Sequence, residues 1–164
     1  MLSVIIPSYN EELNIELAAE TVTNLLKNEN IPCELIFVDD GSKDKTFEKI
    51  CECSEKYSEV KGLTFSRNFG KESAMYAGLK AAKGDYVCII DADLQQSPEV
   101  VLKMLEEIEK DESVDCVAAY QEERKESKLL IFFKNSFYKL INKFADTDFY
   151  QGASDFRTFR KRVA

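Results

Sequence analysis

The sequence predicts an α/β domain, with a mostly parallel central sheet and helices on both of its faces. Three observations lead there. Short apolar runs rich in β-formers alternate with longer stretches of helical spacing. The short runs are apolar nearly throughout rather than at every second residue, the pattern of strands covered on both sides. The first four of them also end in polar clusters, and in such a sheet ligands bind beyond the carboxyl ends of the strands.

The elements follow in order. A first strand, Leu2–Ile6, leads to a helical stretch from Glu12 to Asn28, and a second, Leu35–Val38, to one from Asp44 to Tyr57. A third strand, Leu63–Phe65, precedes a helix over Glu72–Ala82. A fourth, Tyr86–Ile90, precedes Pro98–Asp111, where Val101, Leu105 and Ile108 recur three or four apart. Ser97 caps that helix, and Pro98 takes its first position, where a missing N–H costs nothing. A fifth strand, Cys116–Ala119, comes before a polar loop over Tyr120–Ser127. From Lys125 to Phe144, Leu129, Leu130, Phe133, Phe137, Leu140, Ile141 and Phe144 form one helical face and Lys125, Lys128, Lys139 and Lys143 the other. Such a helix either packs on the domain with its lysines in water or lies on an anionic membrane surface.

Composition narrows the chemistry. A chain of 164 residues, 45% of them hydrophobic, suits one domain spanning residues 1–164. The net charge of −8 argues against nucleic acid as a partner. Charge is uneven: residues 1–119 carry 12 Lys and Arg against 24 Asp and Glu, residues 120–164 carry 10 against 6. Histidine is absent, which removes Ser-His-Asp and Cys-His catalysis and leaves carboxylates to do the work. Five cysteines without redox or zinc spacing point to a reducing, cytoplasmic setting; Cys33, Cys88 and Cys116 sit in or beside apolar runs. The first strand begins at once, so no leader is expected, and no apolar run approaches a membrane span.

Asp91-Ala92-Asp93 directly follows the fourth strand and places two carboxylates where it emerges from the core. Hard divalent cations take oxygen ligands, and one with open positions can also hold a diphosphate. The other strand ends carry Pro7-Ser8-Tyr9-Asn10-Glu11, Asp39-Asp40-Gly41-Ser42 and Ser66-Arg67-Asn68-Phe69-Gly70-Lys71. Each segment alone reads equally well as turn, cap or solvated charge. Four on one edge point to a ligand.

In order and spacing these four segments, with Asp91-Ala92-Asp93-Leu94-Gln95, resemble the inverting family 2 glycosyltransferases. The likeness is greatest to the branch of dolichyl-phosphate mannose synthases and bacterial polyprenyl-phosphate (bactoprenol) glycosyltransferases. It covers nearly the whole chain and includes Ser154-Asp155-Phe156-Arg157, which resembles that branch's Gly-Asp-Phe-Arg. Gln96-Ser97-Pro98-Glu99 departs from the branch's acidic or histidine residue followed by Pro-Pro-Glu, and Ser154 replaces a glycine. Relatives continue past the last motif, so a truncated catalytic domain is expected, residues 119–164 forming its acceptor side.

The resemblance implies a GT-A type fold and transfer of a hexose, with inversion, from a UDP- or GDP-sugar to polyprenyl phosphate. It implies Mg²⁺ or Mn²⁺ held by Asp91, Asp93 and Gln95, and a donor site of Pro7, Tyr9, Asn10, Glu11, Asp39, Asp40, Arg67, Gly70, Lys71 and Asp91. Asp93 and Asp155 become the catalytic carboxylates; Arg124, Arg157 and Arg160 become candidates for the acceptor phosphate, the last two reading otherwise as a basic helix end. The whole protein is then expected at the inner face of the membrane, with a homo-oligomer possible. A saccharide acceptor and a non-catalytic receiver-like domain stay open as alternatives; a sugar-1-phosphate nucleotidyltransferase would call for a glycine-rich phosphate loop near the amino terminus, which the sequence does not carry.

Overall fold

The computed structural model describes residues 1–120 and 153–163. Among these residues six strands and four α-helices follow in order, β1 Leu2–Ser8, α1 Ile15–Asn28, β2 Cys33–Asp39, α2 Thr46–Lys56, β3 Val60–Thr64, α3 Lys71–Ala81, β4 Tyr86–Ile89, α4 Glu99–Lys110, β5 Cys116–Tyr120 and β6 Ala153–Arg160, with a 3₁₀ turn at Lys161–Val163. The strands form one sheet in the order β3-β2-β1-β4-β6-β5. The chain divides into two compact units, Met1–Ala118 with Asp155–Ala164, and Ala119–Ser154. Most of the second unit, including the amphipathic stretch to Phe144, lies outside the described residues.

β1 is the centre of the sheet, buried from end to end. It runs parallel to β2 from Leu2↔Cys33 to Ser8↔Asp39, and parallel to β4 from Leu2↔Tyr86 to Ile5↔Ile89. Pro7 is tolerated in this central strand because of where β4 stops. The carbonyl of Ile5 accepts from Ile90 on the β4 side, and two residues on Pro7 faces the same side, past the last partner. Its missing N–H therefore leaves no ladder bond unmade.

Side chains alternate across the sheet, so each face has its own core. On one face Ile5, Ile36, Val38, Val87, Ile89 and Phe159 pack with Ala74 and Ala82 of the α3 region. The approach is close: a Cβ on Gly78 would stand 2.4 Å from Cγ2 of Ile5. On the other face α4 reaches β6, where the Thr158 hydroxyl lies 4.0 Å from the Met104 sulfur. Helices thus cover both faces, as the near-continuous apolar strands require.

The structure corrects one element. The tail from Ala153 to Arg160 is a strand, antiparallel to β4 with Ile89↔Arg157 and Tyr86↔Arg160 in register, and the basic helical turn begins only after it, at Lys161–Val163. Its run of Ser, Asp, Phe, Arg, Thr, Phe and Arg has neither period, yet Phe156, Thr158 and Phe159 are buried because β6 lies inside the sheet. Cys116, read as a small hydrophobe, is exposed, whereas Cys88 is fully buried and burial pushes its thiol up to about 12. All five cysteines are free.

Candidate functional site

A cleft of about 370 Å³ opens at the carboxyl end of β1, β2 and β4. Pro7, Ser8, Tyr9 and Glu11 line it from the loop after β1, and Asp40 from the loop after β2. Asn68, Gly70, Lys71 and Ala74 enter from the start of α3, and Asp91, Ala92 and Asp93 from the loop after β4. Parallel pairing explains the convergence: strands that run the same way deliver their following loops to one edge.

The loops are tied to one another by side chains the sequence offers as ligands. Asp39, 3% exposed, accepts hydrogen bonds from the Ser42 N–H at 3.0 Å and the Thr64 hydroxyl at 2.7 Å. Asp40, equally buried, accepts from the N–H groups of Phe69 and Gly70 at 2.7 and 2.9 Å. The Asn10 side chain accepts from the Lys43 N–H at 2.9 Å, while the Asn10 N–H donates to the Ser42 hydroxyl at 2.9 Å. Asp44 accepts from the N–H groups of Glu12 and Thr46. Burial works to raise its carboxyl, but these bonds and the Thr46 hydroxyl leave it below the usual range.

At the mouth of the cleft the groups are wetter. Tyr9 is 40% exposed and offers a ring face. The Lys71 ammonium pairs with the Asp91 carboxylate at 2.7 Å. Asp93 is exposed and accepts from the Gln95 N–H at 3.1 Å, in a turn made by the left-handed backbone of Leu94, φ +50°. That backbone costs a leucine about 1–2 kcal/mol, the kind of strain that collects at functional sites.

The structure therefore gathers Pro7, Tyr9, Glu11, Asp40, Gly70, Lys71, Asp91 and Asp93 around one space. It does not bring the rest there. Asn10 and Asp39 hold loops. Arg67 stacks its guanidinium 4.8 Å from the centre of the Phe69 ring, outside the cleft lining. Gln95 contributes its main-chain N–H to Asp93 and its side chain is not part of the lining. Arg157 lines a separate, mostly apolar groove of about 590 Å³ with Tyr76, Leu79 and Phe159. Asp155 is in β6 with its side chain outside the described set, as is all of Arg124.

Arg160 requires a correction. It is paired with Tyr86, the first residue of β4, at the end of the sheet opposite the cleft. Its guanidinium donates to the carbonyls of Val114 at 3.0 Å and Ile108 at 2.7 Å and lies over the Tyr86 ring. It joins the end of α4 to the sheet and is not among the residues that line the cleft. Conversely, Asn68 and Ser8 line the cleft although sequence reasoning assigned them no role. Both stand inside the segments that prompted the reading, and only their direction was missing.

Among the described residues no three His, Cys, Asp or Glu side chains converge as a ready cation site. The donor set nonetheless fits a hard cation. Asp91 and Asp93 supply oxygens from one turn, and Mg²⁺ in particular is held by one or two carboxylates with the remaining positions left to substrate phosphates and water.

Comparison with known proteins agrees with this architecture. The chain is 37% identical over 99% of its length to the uncharacterized glycosyltransferase sll0501 of Synechocystis sp., covering 51% of that protein. It is 34% identical over 99% of its length to the prophage bactoprenol glucosyl transferase homolog of Escherichia coli, covering 53%. It thus spans about half the length of the curated relatives it matches. Among solved structures, the Pyrobaculum calidifontis mannosyltransferase in complex with GDP-Man and Mn²⁺ superposes with a TM-score of 0.65 at 22% identity, covering 99% of this chain and 45% of that one. Glucosyl-3-phosphoglycerate synthase of Mycobacterium tuberculosis, in complex with Mn²⁺, UDP and glucosyl-3-phosphoglycerate, gives 0.71 at 21% identity, covering 99% of this chain and 57% of that one. The sheet and helices are those of the GT-A glycosyltransferases. With the model for glycosyl transferase family 2 matching residues 3–164, the chain belongs to that family.

Proposed function

We propose that the protein transfers a hexose from a UDP- or GDP-sugar to polyprenyl phosphate, with inversion at the anomeric carbon. One observation carries the reading: Tyr9, Asp40, Lys71, Asp91 and Asp93 meet in a single cleft at the carboxyl edge of the sheet. Relatives named for bactoprenol glucosyl transfer supply the acceptor class. Membership in the family displaces the receiver-like reading.

The nucleoside diphosphate enters the cleft with its base against the Tyr9 ring. Glu11 is placed to accept hydrogen bonds from base or ribose. α3 begins at Lys71, so the positive end of its dipole and the ammonium together favour the diphosphate. Asp91 and Asp93 hold Mg²⁺ or Mn²⁺, which when bound supplies charge neutralisation for the leaving diphosphate. An oxygen of the acceptor phosphate forms a bond to the anomeric carbon as the bond to the diphosphate breaks on the opposite face. A phosphate monoester is already anionic near neutral pH, so no strong base is needed. Asp155 then orients the acceptor, and Arg157 and Arg124 are the cations for its phosphate. The whole protein works at the cytoplasmic face of the membrane; among the described residues no helix is long and apolar enough to cross one.

Thermal shift with UDP or GDP, with and without Mn²⁺, tests the donor site. Stabilisation that needs the metal supports it. Transfer of labelled sugar to short-chain polyprenyl phosphate by the full-length protein tests the acceptor, with Asp93→Asn abolishing turnover and leaving the fold intact. Label found only on saccharides would replace the lipid acceptor, and near-normal turnover by Asp93→Asn would remove the metal assignment.

A further inference from the structure

Asn14 stands just before α1 and has a side chain well suited to capping a helix, yet it makes no cap bond. A cap residue is ordinarily extended, whereas the Asn14 backbone is already helical at φ −103° and ψ −21°, and its side chain turns back along the chain. The Asn14 amide donates to Oε2 of Glu11 at 2.6 Å, and its main-chain N–H donates to the Glu11 carbonyl at 2.8 Å. The Glu11 N–H donates in turn to the hydroxyl of Thr46, a fully buried residue, at 2.8 Å. Glu11 lines the cleft and Asn14 does not. We propose that Asn14 is a positioning residue for donor binding: it holds the Glu11 carboxylate in one orientation, one oxygen engaged and the other presented to a hydroxyl or N–H group of the nucleoside.

A glutamate on a loop has several rotatable side-chain bonds, and ordering them when a ligand arrives lowers affinity. Asn14 removes that freedom when the chain folds, so binding need not. Thr46, 35 residues along the chain, fixes where the Glu11 main chain sits, and Asn14 fixes where the carboxylate points. The pairing has one sense only. An ionised carboxylate accepts and never donates, so it must meet the N–H₂ end of the Asn14 amide. Among the described residues Oε1 of Glu11 has no hydrogen bond, and ribose hydroxyls and base N–H groups are donors that suit it. Because the Asn14 side chain makes no cap bond, replacing it takes none from α1, and the loss falls on Glu11.

This inference rests on the donor-site reading above, and the experiment separates the two. UDP and, separately, GDP are titrated calorimetrically with saturating Mn²⁺ into the full chain, Glu11→Ala, Asn14→Ser and the double variant; circular dichroism checks that each is folded. Asn14→Ser has a shorter side chain and no amide, and is expected to bind the preferred nucleotide about threefold to tenfold more weakly than wild type. Glu11→Ala is expected to lose at least as much. The double variant is expected to bind no more weakly than Glu11→Ala, because Asn14 acts through the carboxylate alone. Asn14→Asp, which sets a like charge against Glu11, takes the place of Asn14→Ser in this cycle should that variant not fold. Wild-type affinity in Asn14→Ser, with Glu11→Ala weakened, overturns the positioning role and leaves the donor site standing. Equal losses from the Asn14 substitution with and without the Glu11 carboxylate also overturn it, since damage to the loop would act in both backgrounds. Glu11→Ala binding as tightly as wild type, or a wild type that binds neither nucleotide, overturns the placing of Glu11 in the donor site and this inference with it.

Discussion

Asp40 accepts the main-chain N–H of Gly70 at 2.9 Å, thirty residues along the chain, and that of Phe69 at 2.7 Å. The bond joins the loop after β2 to the residue just before α3, where φ is +97°. Asp40 thereby positions Lys71, rather than serving only as a ligand for the nucleotide. In Asp40→Asn an amide N–H₂ must face one of two N–H donors, whichever way it is turned. Urea unfolding is expected to register a loss of about 1–3 kcal/mol, with a higher KM for the donor; unchanged stability would refute the positioning role.

Gly41 has φ +66°, and a Cβ there would stand 2.3 Å from the main-chain carbon of Arg67. The obstacle is backbone, which cannot rotate aside. Gly41→Ala combines the left-handed penalty of about 1–2 kcal/mol with this clash. A fall in the urea midpoint corresponding to at least about 2 kcal/mol is expected. Because the clash pushes on the loop that carries Asn68 and Gly70, calorimetric affinity for UDP or GDP should fall with it.

Arg160 separates a structural cation from a catalytic one. Arg160→Ala leaves the carbonyls of Val114 and Ile108 without their donor, at an expected cost of about 1–3 kcal/mol in chemical denaturation. The KM for polyprenyl phosphate should not change. A raised acceptor KM in a variant of normal stability would return Arg160 to the acceptor site.

Glu34 sets part of the acid limit of the fold. Its carboxylate, 3% exposed, accepts from the Ser3 hydroxyl at 2.6 Å and the Lys83 N–H at 2.5 Å and pairs with Lys61. Burial raises its carboxyl, but Lys61, Ser3 and Lys83 together outweigh burial and hold it below the ordinary glutamate range. A depressed carboxyl contributes stability above the unfolded value of about 4.3, and that stability is lost as pH falls through the folded value. Glu34→Gln is expected to be less stable than wild type at neutral pH, with the gap closing below about pH 4 in melts recorded across pH. Parallel melting curves at all pH values would contradict this.

Much of the architecture was readable before any coordinates. β1, β2 and β4 are buried on both faces, so their residues are apolar almost throughout and announce themselves; α4 shows its buried stripe of Val101, Met104, Leu105 and Ile108 at helical spacing. The cleft was legible for the same reason, since parallel strands must empty their loops onto one edge. Boundaries were less so: β1 continues to Ser8 and β3 begins at Val60, because pairing with β2 extends them past their apolar cores.

Local pattern alone was enough for the α/β class, the polar edge and the carboxylates Asp91 and Asp93, because periodicity and residue type are properties of a stretch of chain. It could not reveal β6, whose mixed residues become a strand only when β4 offers them a ladder. Nor could it divide the charged residues by task. Arg67, Arg157 and Arg160 carry the same guanidinium, yet one stacks on Phe69, one borders an apolar groove, and one joins α4 to the far end of the sheet. Asp39 and Asp40 are neighbours, yet only Asp40 reaches the cleft. A charge acts through distance and partner, and both come into being only when segments remote in sequence are packed together.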